Sequence, residues 1–207
     1  MAAPDTKQKI VEASLQLFNE YGISNVRLQQ IADETGISVG NLAYHFNNKE
    51  AITETIITNV VSGLEDLLRQ YGKYASLNDL DFFFKEYYRF STQYRFFNFD
   101  ILEIKRNFPA SYESLQPVFN KIKLQLERRL ERCLEERLLQ KETSIKTIAS
   151  NTWLLLFFMP AEGQLNVKNT ISENKYRRRL WDYMMLHFTA KGNSEYNAKI
   201  EPELTGR

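Results

Sequence analysis

Two stripes of aliphatic residues constrain this chain more than any other feature. Ile52, Ile56, Val60 and Leu64 recur at four-residue intervals, and so do Ile122, Leu126, Leu130, Leu134 and Leu138. Charged residues fill the positions between the members of the second stripe. Both stripes are therefore faces of long amphipathic helices. Only 8 Gly and 5 Pro occur in 207 residues, so little interrupts such helices. The sequence predicts an all-α protein, long enough to bury a substantial core.

The first fifty residues read as short helices with clear ends. Ile10, Ala13, Ser14, Leu17, Phe18 and Tyr21 share one face of a first helix, from about Asp5 to Tyr21, with Gly22 at its end. Leu28 to Thr35 is a second, with Leu28, Ile31 and Ala32 inward. Ser38 caps a third that runs to about His45, and Asn47 or Asn48 caps a fourth that begins near Lys49 and ends near Gly72. The stretch from Leu28 to Phe46 fits a helix-turn-helix. Steeply crossing helices need a small residue where they touch, supplied by Ala32. The short turn needs a residue that tolerates positive φ, supplied by Gly36. Ile31, Ile37, Leu42 and Phe46 pack the wedge. Ser38, Asn41, Tyr44 and His45 are left outside, hydrogen-bonding groups suited to reading a DNA groove.

The run of Ile10, Ala13, Leu17-Phe18, Tyr21-Gly22, Ile31-Ala32, Gly36-Ile37-Ser38, Gly40, Leu42, His45-Phe46 and Lys49-Glu50 resembles the N-terminal signature of the TetR family of bacterial transcriptional regulators. The resemblance covers about the first fifty residues. It implies that the third helix enters the major groove of a double-stranded DNA operator, with Tyr44, His45 and Lys49 near phosphates. It also implies backbone contacts from Arg27 and Gln29 at the start of the second helix. Three positions depart from the family pattern. Arg27 replaces the usual Thr or Ser cap, at a cost of ~1 kcal/mol. Ala43 replaces an aromatic, leaving Tyr44 as the substitute contact. Val39, also on the DNA-facing set, replaces a frequent Lys. Charge is unfavourable as well: residues 1–50 hold four bases and six acids, a balance of −2, in a chain of net charge +1. Against this, Thr35 to Lys49 contains no acid, and salt screens charges beyond roughly 8–10 Å.

The remainder, 51–191, reads as a larger helical domain for effector binding and dimerisation, after a helix-turn-helix domain at 1–50. The fourth helix runs from one into the other. Ten aromatics fall in the eighteen residues Phe82–Phe99; Phe83, Tyr87, Tyr88, Tyr94 and Phe97 are candidates to line a pocket for an apolar or aromatic effector, or to fill the core. A long helix is expected over about 115–139, where Pro117 is tolerable only in the first turn, followed by helices near 143–164 and 173–190. Pro160 should kink or end the former. The resemblance implies that the last two helices form a four-helix bundle with a second copy. Trp153, Leu156, Phe157, Trp181, Met184 and Met185 are candidates for that interface or, equally, for the core. Arg177, Arg178 and Arg179 read as a solvated helix face. From 192 to 207 the chain reads as a flexible tail.

Other functions find little in the sequence. Cys133 is the lone cysteine, so no internal disulfide is possible, and a redox role for it is left open. The only histidines are His45 and His187. No metal-ligand spacing or phosphate-binding loop is visible, and no cofactor is expected. The longest strongly apolar run, Trp153–Met159, is far below the ~20 residues a membrane span requires. Met1–Lys9 lacks the apolar core of a secretory leader. The expectation is a cytoplasmic homodimeric repressor, released from its operator by a small-molecule effector. The alternative is a helical ligand-binding or protein-interaction module whose helix-turn-helix no longer binds DNA; an enzyme is a distant third.

Overall fold

The structure is a computed structural model that describes residues 5–71, 76–165 and 171–206. Among these residues there is no strand. Helices follow in the order α1 (Thr6–Tyr21), α2 (Leu28–Thr35), α3 (Val39–His45), α4 (Lys49–Tyr71), α5 (Leu77–Gln93), α6 (Arg95–Phe99), α7 (Ile101–Asn107), α8 (Pro109–Glu135), α9 (Ile145–Leu165), α10 (Glu173–Met185), α11 (Ala190–Lys199) and α12 (Glu201–Thr205). The first three match the expected boundaries within a residue. The expected end of the fourth, near Gly72, lies outside the described residues.

The chain forms two compact units: residues 1–63 with 94–116, and residues 64–93 with 117–207. This differs from a division at residue 50, because α6 and α7 pack with the N-terminal helices. Phe96 of α6 lies buried against Phe18 of α1, ring centroids 5.9 Å apart, and the Phe96 N–H donates to Asn19 Oδ1 at 3.0 Å. The aromatic segment 82–99 is thus divided between the units at residue 94, and its rings serve two separate cores.

In the second unit α5, α9 and α10 pack on one another. Their centre is a buried charge cluster. Asp81 of α5 accepts from Arg177 Nε at 3.1 Å and from Arg177 Nη2, and from the Trp181 indole N–H at 2.8 Å. Arg177 is therefore in the interior and not on a solvated face. Its neighbours are paired as well, Arg178 with Glu201 and Arg179 with Glu162.

Both helical prolines lie deeper than the sequence suggests. Helix α8 begins at Pro109, where a missing N–H costs nothing, so Pro117 falls in its ninth position and not its first turn. The division between the two units falls at this residue. Pro160 does not end α9, which continues to Leu165. A proline at 160 deprives the Leu156 carbonyl of its helical donor; the Tyr176 hydroxyl of α10 donates to that oxygen at 3.0 Å. A neighbouring helix thus restores the bond, and burial raises the Tyr176 phenol well above its ordinary pKa.

The segment expected as a flexible tail is two docked helices. Tyr196, Ile200 and Leu204 are buried, spaced by four on one face. At Gly192, the first residue of that expected tail, the backbone comes close: a Cβ there would lie 2.2 Å from the Leu138 carbonyl oxygen. That oxygen also accepts the Thr189 N–H at 2.9 Å, and Gln140 N–H donates to His187 O at 2.9 Å, so the connections after α8 and α10 pair locally. Gly192→Ala should force these segments apart and lower unfolding stability by about 1–3 kcal/mol, measured by urea denaturation. An unchanged midpoint would show that the close approach is not needed.

Candidate nucleic-acid interface

The turn between α2 and α3 has the geometry a helix-turn-helix demands. Gly36 sits at φ 68°, ψ 30°, a left-handed conformation that favours glycine. The Ile37 N–H donates back to Ala32 O at 3.0 Å. Ser38 then caps α3, its Oγ accepting from Asn41 N–H at 3.1 Å. Ile31, Ala32, Leu42 and Phe46 are all buried beside this turn.

Outside this wedge α3 presents Val39, Asn41 and Tyr44 to solvent, with Ser38 just before them. Tyr44 is 85% exposed. Its ring stands edge-on to His45, centroids 5.3 Å apart. An aromatic hydroxyl held that far into water contributes nothing to the core, and its hydroxyl is placed to donate to an external acceptor. Arg27 is exposed at the start of α2. It has no side-chain acceptor and cannot cap, yet the helix start is partly satisfied, because Gln30 Oε1 accepts the Arg27 N–H at 2.8 Å. Gln29, by contrast, is tied on the surface to Asp33, Nε2 to Oδ1 2.7 Å.

Lys49 has a structural role that the sequence did not show. Its ammonium donates to Ile23 O at 2.9 Å and Val26 O at 3.1 Å. A lysine in the first turn of a helix opposes the helix dipole; here the charge leaves the helix end and satisfies two carbonyls of the α1–α2 turn. The same turn is held from α7's start, where the Asp100 carboxylate accepts the Ile23 N–H at 2.7 Å. Burial pushes the Asp100 pKa up, opposed by that hydrogen bond.

Sequence reading also missed Lys7. Its ammonium lies 5.3 Å from the Phe46 ring centroid, and with His45, Asn47 and Thr55 it borders a polar hollow of about 420 Å³ beside the end of α3. Its signal was only that of a cation just before the first helix stripe.

The other candidate sites divide differently. Phe83, Tyr87 and Tyr88 belong to the second unit, whereas Tyr94 and Phe97 belong to the first. Phe83 and Tyr87 are core, in ring contact with each other and, for Tyr87, with Trp153. Tyr88 donates to Ile171 O at 2.6 Å. The interface candidates Trp153, Leu156, Phe157, Trp181 and Met184 are also buried within the chain, with Met185 only partly so; they fill the second unit. Cys133 is buried, and its thiol is pushed up to about 12 by desolvation, so it stays protonated near neutrality. Among the described residues no group of acidic, histidine or cysteine side chains is placed to hold a metal, and no helix is long and apolar enough to cross a membrane.

This geometry has relatives. Residues 10–56 match the model of the bacterial regulatory proteins of the tetR family. The chain is 33% identical over 63 residues to the HTH-type transcriptional regulator SrpR of Pseudomonas putida, an alignment spanning 30% of each protein. The chain therefore aligns with under a third of that relative's length. Among solved structures it is similar to a TetR-family transcriptional regulator from Marinobacter aquaeolei VT8, with a TM-score of 0.81 at 20% identity, covering 96% of this chain and 98% of that one. It is also similar to a gamma-butyrolactone receptor, with a TM-score of 0.70 at 15% identity over 98% of each.

The internal bonds of Lys49 change what its removal should do. Lys49→Ala should lower unfolding stability by about 1–2 kcal/mol, since two partly buried carbonyls lose a charged donor, whereas Tyr44→Ala should leave stability within about 0.5 kcal/mol. Thermal denaturation of both variants checks this, and equal, negligible shifts would remove Lys49 from the turn. The helix-turn-helix geometry and the matched model give residues 10–56 as a region of the bacterial regulatory proteins' tetR type, and the chain's fold is similar to that of a solved TetR-family regulator.

Proposed function

We propose that the protein is a DNA-binding transcriptional regulator that acts as a homodimeric repressor, released from its operator by a small-molecule effector. The observation that carries this is Tyr44, 85% exposed on a helix whose surrounding segment, Thr35–Lys49, holds no acid. In this reading α3 lies in the major groove, with Ser38, Val39 and Asn41 toward base edges and Tyr44 and His45 toward phosphates. Arg27 and Lys7 add backbone contacts. Gln29 and Lys49 contribute less, because their polar groups already have partners inside the chain.

One helix-turn-helix reads few base pairs, so two half-sites about 34–36 Å apart, or a multiple of that, call for a dimer. The surface suited to it is not the buried set named from sequence but the apolar residues left outside. Leu154 and Phe158, one turn apart on α9, are 51% and 50% exposed, and Leu186, just past α10, is 71% exposed. Replacing Leu154 and Phe158 together by Glu should give a monomer by analytical ultracentrifugation, with operator affinity falling at least tenfold. A dimer that persists would locate the interface elsewhere.

The effector belongs to the second unit. The similar gamma-butyrolactone receptor is named for a small ligand, which supports a sensing role here. The chain crosses between its units three times, twice inside a helix, α4 and α8, so a change in the second unit has continuous backbone through which to reach the first. Its effect on DNA affinity is bounded by the effector's differential affinity for the two states.

The test is binding to DNA upstream of the protein's own gene and to bulk genomic fragments, at 50 and 200 mM salt. Specific affinity should fall roughly 10³-fold if the dimer neutralises six or more phosphates, and Tyr44→Ala should lower it at least fivefold. A second reading, a ligand-binding module that has lost DNA binding, is favoured by the balance of −2 in residues 1–50. Failure to bind either DNA at low salt would select it.

A further inference from the structure

A groove of about 570 Å³ runs between α4 and α8 within the second unit. Its volume falls in the range of about 300–1,000 Å³ that holds small ligands. Glu65, Leu68 and Arg69 of α4 form one wall, and Lys121, Leu124 and Arg128 of α8 the other. On α8 the three follow at i, i+3 and i+7, so they share a single stripe with the leucine between two cations. Leu68 is buried at the floor, whereas Leu124 is 46% exposed. An exposed leucine set among long cationic side chains makes an amphipathic wall, since the methylene stems of Lys121 and Arg128 extend its apolar surface while their charges stand at the rim.

The charges are unequal. Lys121 Nζ is bonded to Glu65 Oε1 at 2.7 Å, and Arg69 to Asp66. Arg128 has no acidic partner among the described residues. The groove thus has three cations against one lining acid, and one guanidinium whose fork meets no acceptor among the described residues. An inorganic anion would gain only a partly solvated, screened contact there. A plain hydrocarbon would leave the charged rim without use. The two features are met together by one molecule that has both an apolar chain and an anionic head.

We propose that the groove between α4 and α8 binds a single-chain amphiphile with a carboxylate or phosphate head, its tail along Leu68 and Leu124 and its head on Arg128, with Lys121 beside it. This rests on the proposed function, in which the second unit receives an effector, and names that effector's class.

Isothermal titration of the full chain with dodecanoate, dodecyl phosphate and dodecyltrimethylammonium, each below its micellar concentration, tests it. The two anions should bind saturably, one per chain, and the cation with the same tail at least tenfold more weakly. Arg128→Glu should lower affinity for the anions at least tenfold and raise it for the cation. Leu124→Ser should weaken the anions while leaving the preference for a negative head. Both substitutions are on the surface, and circular dichroism confirms their fold. Tighter binding of dodecanoate than of dodecyl phosphate, or the reverse, identifies the head. Absence of anion binding, or anion binding that Arg128→Glu leaves unchanged, overturns the proposal. Operator binding in the same preparations separates the two readings. DNA binding without dodecanoate binding removes only the groove, whereas dodecanoate binding in a chain that does not bind DNA removes only the regulator.

Discussion

A carboxylate in the interior must be paired, because an unpaired buried charge is among the most costly things a fold can contain. Asp81 meets that demand with two groups of α10: a guanidinium and an indole N–H. These bonds fix the register of α5 against α10, since sliding either helix by one residue would strand the charge. Arg177 also lies 3.6 Å from Glu203 of α12 and 3.7 Å from Glu173, and Arg178 is bonded twice to Glu201. The C-terminal helices are therefore anchored by the same run of arginines. Buried ion pairs are poor evidence for net stability, and their best-attested effect is on specificity. Here the cluster selects one arrangement among the many that an aromatic-rich, deformable core would accept.

The first unit has its own fixed point, the turn between α1 and α2. Ile23 donates to Asp100, and the carbonyls of Ile23 and Val26 accept from Lys49. One short turn thus receives groups from the start of α4 and from the α6–α7 junction. Gly22, at φ 79°, lets the chain leave α1 without a side chain; a Cβ there would come 3.4 Å from an Asp100 oxygen. The position of α2, and through the Gly36 turn that of α3, is consequently set by residues distant in sequence. A helix-turn-helix is a local motif, yet the orientation it presents depends on these longer-range bonds.

What was legible in the sequence was what depends on neighbours a few residues away. The α4 stripe, the Ala32–Gly36 turn and the Ser38 cap are local, and the structure has them, whereas Leu138 of the second stripe falls beyond the end of α8 and Tyr21 of the first helix is exposed. What was not legible needs partners from elsewhere. Pro160 reads as a kink or an end of the helix, because the Tyr176 hydroxyl that replaces the missing donor to Leu156 comes from another helix. The polar segment from Gly192 reads as a flexible tail because nothing in it announces the Leu138 backbone that approaches that glycine. Trp153, Leu156, Phe157, Trp181 and Met184 are large and apolar, which makes them equally fit for a core or an interface; only burial distinguishes the two, and it places them inside. The residues left outside, Leu154, Phe158 and Leu186, are less conspicuous in composition than in exposure. Lys49 fits a phosphate contact by type, and its ammonium is found on two carbonyls.

The internal use of Lys49 bears on how such a protein would hold DNA. The N-terminal segment was already poor in bases, and one of its four is partly consumed within the fold. The cations with no acidic partner among the described residues, Lys7 and Arg27, belong to the same unit as α3, whose exposed polar groups are a hydroxyl and an amide at Ser38 and Asn41 and the Tyr44 phenol. Counterion release scales with the number of phosphates neutralised, so few available cations mean a smaller sequence-independent term. A larger share of the affinity must then come from directed hydrogen bonds, which depend on base identity and groove shape. A weakly basic helix-turn-helix is in this sense not a defective one. It lowers binding to the excess of non-cognate sites along with total affinity, and what it retains is the ratio between the two, the quantity that decides whether an operator is found among many competitors.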